Sequence, residues 1–155
     1  MTAHRPDKHK GITVITTHIN ADFDAMASML AAQKLYPEAL VVFPGTQEKN
    51  LRNFFVQSMV YLFNMADIKD LEFSSVRRLV LVDTRQPRRI GNLAQLLDRR
   101  DVDVHIYDHH PAAGGDVKGS LEVIEETGAT VSILTNMIRQ QGIEISPDEA
   151  TVMCL

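Results

Sequence analysis

Short, β-branched apolar runs alternate with longer amphipathic segments from residue 11 to residue 142, and that alternation leaves few folds open. GITVITT (Gly11–Thr17), ALVVFPG (Ala39–Gly45), RRLVLVDT (Arg77–Thr84), VDVHIYDHH (Val102–His110) and SLEVIEET (Ser120–Thr127) read as five strands. DAMASMLAAQKLY (Asp24–Tyr36), EKNLRNFFVQSMVYLFN (Glu48–Asn64), IGNLAQLLDRR (Ile90–Arg100) and GATVSILTNMIRQQG (Gly128–Gly142) have the composition and apolar spacing of helices. Strands joined through helix-length crossovers pair in parallel. The unbroken runs LVLV and ALVVF suit strands covered on both faces. The expected fold is α/β: a doubly wound, mostly parallel five-stranded sheet with helices on both faces. Pro37 should stop the first helix and Gly142 the last of the four. SPDEATVMCL starts one more, with Ser146 and Glu149 spaced as a capping box and Pro147 at the first helical position.

The 155 residues suit one domain with a substantial core. Residues 1–10, with His4 and His9, read as a flexible tail, and residues 11–155 as the domain. The chain ends among the apolar residues of a newly started helix, which leads us to expect a piece of a longer protein. A single cysteine, Cys154, excludes an intrachain disulfide and any cysteine-cluster zinc site. The reducing cytoplasm is the expected location. No apolar run approaches the roughly 20 residues that span a bilayer. A net charge of −4 gives no global attraction for nucleic acid.

In an open parallel sheet, ligands bind beyond the carboxyl ends of the strands. THINADFDAMAS places His18, Asn20, Asp22 and Asp24 after the first strand. Asp83 ends the third, and Asp108, His109 and His110 end the fourth. Each alone has a bland reading as a helix cap, turn former or satisfied histidine. Together they bring several carboxylates to one edge, where they repel one another unless cations lie between them. Oxygen and imidazole ligands without sulfur suit Mn²⁺, Mg²⁺ or similar ions, with Co²⁺ a further candidate. More carboxylates than one ion needs suggest two ions about 3.5–4 Å apart, an arrangement that activates water and clamps a phosphoryl group. Arg85, Arg88 and Arg89 follow Asp83 and could attract phosphate or an RNA backbone; a solvated loop explains them equally well. His105, inside a strand pattern, reads as an ordinary core or face histidine.

THINADFDA, LVDTR and YDHHP, in this order and at these strand ends, resemble the first three motifs of the DHH phosphoesterase superfamily. That superfamily includes manganese-dependent pyrophosphatases, exopolyphosphatases and RecJ-type exonucleases. ETGATVSIL (Glu126–Leu134) is similar to its segment after strand five. The resemblance implies one manganese on His18, Asp22 and Asp83, and a second on Asp24, Asp83 and His109, so that Asp83 bridges. It implies a supporting role for Asp108 and a substrate-facing or proton-transferring one for His110. Asn20 and Arg85 are the weaker substrate-side assignments. A fourth motif, carrying another metal-binding aspartate, and a second domain that closes the cleft should follow this segment. ADFDAMASMLAAQKLYPEALVVFPGTQEKNLRNF further resembles the corresponding domain of large bacterial CBS-domain, poly(A)-polymerase-like tRNA nucleotidyltransferases. The expectation is a metal-dependent phosphoesterase acting on polyphosphate, a short oligonucleotide or a nucleotide, with weak turnover in this segment alone. Two rivals are a non-catalytic metal- or nucleotide-binding regulatory module and an oligomerisation domain with a vestigial acidic edge. Homo-oligomer formation is left open.

Overall fold

The computed structural model describes residues 11–45 and 60–154. The expected tail at residues 1–10 and most of the expected helix Glu48–Asn64 lie outside the described residues. Five strands, β1 (Ile12–Thr16), β2 (Leu40–Val41), β3 (Val76–Val82), β4 (Asp103–Asp108) and β5 (Leu121–Ile124), form one sheet. Every pairing is parallel and the order is β2-β1-β3-β4-β5. The expected doubly wound α/β architecture is present. Strand order reverses beside β1, so a crevice opens where the chain leaves β1 and β3.

Alternation along the strands divides the core into two layers. Val80 and Val82 of β3 face a layer with Ile15, Tyr107 and three α-helices of the described residues. These helices are α1 (Phe23–Leu35), α2 (Thr130–Gln140) and α3 (Pro147–Met153). Leu79 and Leu81 face the other layer, with Ile90, Leu93, Leu96 and Ile106. Residues Ala25 to Ala32 of α1 are all buried, because the helix is wedged between the sheet and its helical neighbours. Its alanines carry strong helix propensity and allow close packing.

The expected helix Ile90–Arg100 is instead a 3₁₀ run, Gly91–Asp98. Ile90, Leu93 and Leu96 recur every three residues, and all three are fully buried. A helix with three residues per turn puts them on one face, while Gly91 at φ +56° turns the chain into it. At the end of the expected helix Glu48–Asn64, Val60–Leu62 is likewise 3₁₀. β2 is shorter than expected; just past it the Val42 carbonyl accepts the Thr16 side-chain hydroxyl at 2.6 Å in place of a ladder partner. Both helix-end signals are realised. Gly142 sits at φ +67° after α2, and Ser146 with Glu149 forms a reciprocal capping box on α3.

Candidate metal centre

Two left-handed residues aim the site. Asn20 has φ 57° and Asp83 φ 61°, conformations that Asn and Asp adopt more readily than other side chains. The strand ends are pinned from below: Thr17 Oγ1 donates to the Val82 carbonyl at 2.8 Å, and Asp83 N to the Tyr107 carbonyl at 2.9 Å. β1, β3 and β4 therefore deliver their terminal side chains in fixed relation.

Asp83 lies at the centre, 3% exposed. Its Oδ2 is 3.2 Å from His18 Nε2. Its Oδ1 is 3.3 Å from His109 Nε2 and accepts from Thr130 Oγ1 at 3.0 Å. Each oxygen thus faces a different histidine. Two groups of potential ligand atoms, each within 4.8 Å of one another, share this residue: His18, Asp22, Asp83 and Asp83, His109, His110. The first is the expected set. The second contains His110 where the resemblance implied Asp24, whose Oδ2 is 3.7 Å from His109 Nε2.

The histidine tautomers follow from their neighbours. His18 Nδ1 is 2.9 Å from the Ile19 carbonyl and His109 Nδ1 is 3.0 Å from the Thr127 carbonyl. A carbonyl oxygen can only accept, so both Nδ1 atoms carry the proton. Each Nε2 then turns a lone pair toward a carboxylate. Acceptor facing acceptor is favourable only with a proton or a metal cation between them. Imidazoles oriented through Nδ1–H, with Nε2 free among carboxylates, have the arrangement of metal-ligating histidines. His110 is oriented similarly, its Nδ1 being 2.6 Å from Asp108 Oδ1. Asp108, 1% exposed, also accepts the His109 N–H at 2.9 Å.

Asp22, rather than Asp24, caps α1, accepting Ala25 N at 2.9 Å. Asp24 is held by the N-terminus of α2, accepting from Thr130 N at 3.1 Å and Val131 N at 3.0 Å. Burial and the nearby charge of Asp83 raise its pKa against the lowering effect of those two N–H groups. Burial lowers the pKa of His18, but hydrogen bonds to Asp83 and the Ile19 carbonyl outweigh it and the net direction is upward. Both shifts favour the protonated form of the group.

Arg85 departs from its expected substrate-side place. Its Nε lies 3.3 Å from both Asp108 Oδ2 and Asp116 Oδ2, and its Nη2 donates to the His110 carbonyl at 2.8 Å. The side chain is 11% exposed and faces inward. It braces the loop that carries the histidines. Thr130 and Asp116 were not singled out from the sequence; the small-residue turn before α2 marked the place of Thr130, and nothing marked Asp116.

The profile of the DHH family, N-terminal domain, matches residues 12–155. The chain belongs to the DHH family. The domain is 48% identical over 142 residues to an A-adding tRNA nucleotidyltransferase of Geobacter sulfurreducens, spanning 92% of this chain and 16% of that protein. A protein of the same name from Aquifex aeolicus is 32% identical over 141 residues, 90% of this chain and 16% of its own. The DHH domain described here therefore spans about a sixth of the length of these relatives. Its fold is shared with an exopolyphosphatase-related protein of Bacteroides fragilis, at TM-score 0.71 and 16% identity, covering 92% of this chain and 44% of that one. Among the described residues no helix is long and apolar enough to cross a membrane.

Proposed function

We propose that this DHH domain is a divalent-metal-dependent phosphoesterase module, with Mn²⁺ as its preferred ion, inside a longer protein related to the tRNA nucleotidyltransferases. The carrying observation is the Asp83 carboxylate, with one oxygen turned to His18 and the other to His109. His18, Asp22 and Asp83 would hold one ion. Asp83 and His109 would hold the second, with Asp24 as the third ligand, because a cation there would relieve the repulsion between Asp24 and Asp83. When bound, such ions activate water and neutralise charge on a phosphoryl group.

The chain's own residues do the rest. Asp108 fixes His110 through Nδ1, leaving Nε2 to hold a phosphate oxygen or deliver a proton to the leaving oxygen. Thr130 Oγ1 and the N–H groups of Thr130 and Val131 orient the carboxylates of Asp83 and Asp24. The substrate class is a phosphoanhydride or phosphodiester: polyphosphate, a short oligonucleotide or a nucleotide.

The test is hydrolysis of short polyphosphate and of 5′-phosphorylated dinucleotides with Mn²⁺, in this chain and in its full-length parent. Metal-dependent turnover in the parent, lost in Asp83→Asn, is expected. Saturable Mn²⁺ binding without turnover of either substrate in the parent would replace this reading with a regulatory metal-binding module.

A further inference from the structure

We infer that Arg89, not Arg85, is the cation of this domain that receives a substrate phosphate, in a small polar cavity beside His110. The inference rests on the phosphoesterase reading above and adds a second phosphate position to it.

Three arginines follow Asp83, and their surroundings separate them. Arg85 is spent on Asp108 and Asp116 and faces inward. Arg88 is exposed and donates to Gln86 Oε1 at 3.2 Å. Arg89 is half-buried, and its backbone carbonyl accepts Ile19 N at 2.7 Å. That bond ties it to the loop carrying His18 and Asn20, while no hydrogen bond or ion pair engages its guanidinium among the described residues. Its charge is close enough to act on the His18 ring. A half-buried guanidinium with no carboxylate partner among the described residues, beside the metal-ligand cluster, carries the chemistry for binding phosphate.

The space it faces agrees. A cavity of about 110 Å³ is lined by Arg89, His110, Thr84 and Gln86, with the Arg85–Asp108–Asp116 cluster on its wall. The Arg85 guanidinium lies between the two carboxylates of that cluster and offsets part of their repulsion of an entering anion. The volume accommodates a single tetrahedral oxyanion. His110 belongs both to this cavity and to the Asp83–His109–His110 group, so a phosphate here lies next to the reacting one. The ligand is the neighbouring phosphate of an inorganic chain or the 5′-phosphate of a short oligonucleotide.

The test is titration of the ¹⁵N-labelled chain with inorganic phosphate, with and without Mg²⁺, following the arginine Nε–Hε resonances. Arg89 should shift saturably and Arg85 should not. Arg89→Ala should weaken phosphate binding about tenfold, and Arg89→Lys should fall between, since it keeps the charge and loses the planar fork. Mn²⁺ affinity should not fall in either variant, since Arg89 supplies no metal ligand. Pyrophosphate and a 5′-phosphorylated dinucleotide, titrated in parallel, identify which source of phosphate depends on Arg89. Equal phosphate affinity in Arg89→Ala, or a shift at Arg85 in place of Arg89, overturns the inference. Loss of Mn²⁺ binding in the unaltered chain, with Arg89-dependent phosphate binding retained, counts against the phosphoesterase reading and leaves this one standing.

Discussion

The two ends of β4 each carry a histidine among polar groups, and they differ in how those groups are satisfied. At the amino end, His105 Nδ1 meets the Tyr36 hydroxyl at 2.6 Å and its Nε2 meets Asp103 Oδ2 at 3.0 Å. Tyr36 also pairs with the Tyr107 hydroxyl at 2.7 Å, Ser120 Oγ donates to Asp103, and Arg78 Nε lies 3.5 Å from the same carboxylate. Apart from Arg78 Nε, which makes no hydrogen bond, donors meet acceptors here. At the carboxyl end, the Nε2 lone pairs of His18 and His109 face carboxylates. Both ends are built from the same residue types, but only the second needs a cation to complete it. Complementarity, more than the presence of histidine and aspartate, separates a structural cluster from a chemical one.

Breaking the brace should have the largest effect on folding. Arg85→Ala leaves Asp108 and Asp116 without their countercharge, and loss of one partner from a buried pair costs on the order of 3 kcal/mol. Chemical denaturation should show that loss, and Mn²⁺ affinity should fall with it because the histidine loop loses its anchor. Unchanged stability would mean that the brace is ornamental.

Tyr36→Phe tests the other end. Burial and the Tyr107 hydroxyl hold the Tyr36 pKa well above its usual range, so the hydroxyl is protonated and structural. Its removal should cost about 1–2 kcal/mol by leaving His105 and Tyr107 short of a partner. Mn²⁺ binding should be unaffected. A change in metal affinity would contradict the separation of the two ends.

The smallest effect is on pH dependence. Asp24 and His18 both have folded-state pKa values raised above their ordinary 3.8 and 6.5. For either group, the stabilisation is fully present below its ordinary value and is lost as pH rises through the raised one. The metal-free chain should therefore lose melting temperature as pH rises from mildly acidic toward neutral. Saturating Mn²⁺ should cancel or reverse the trend, since metal displaces those protons. A metal-free melting temperature that rises over this interval would contradict the assigned shifts.

Much of this molecule was legible in its sequence because the signals were local. The β-branched runs, Gly142 and the Ser146–Glu149 box each act within a few residues; every expected strand is present, with β2 and β5 shorter than expected, and both helix-end signals are realised. The convergence of Asp22, Asp83 and the two histidines was legible too, since parallel strands present their carboxyl ends on one side. The 3₁₀ run at Gly91–Asp98 was missed because Ile90, Leu93 and Leu96 satisfy an α-helical and a three-residue period alike. The role of Arg85 was missed because its partner Asp116 arrives from a distant loop. That Asp22 caps α1 while Asp24 is held by the N-terminus of α2 is a choice between two nearby aspartates made only by packing.

The most direct test of the central claim is Mn²⁺ calorimetry on the unaltered chain and on Asp83→Asn, a substitution that keeps a side chain tolerant of φ 61°. The account predicts saturable binding at defined stoichiometry, weakened about a hundredfold or more in the variant, because both ions lose a shared anionic ligand. Equal affinity and stoichiometry in the two proteins would remove Asp83 from the centre of the site and contradict the bridging arrangement.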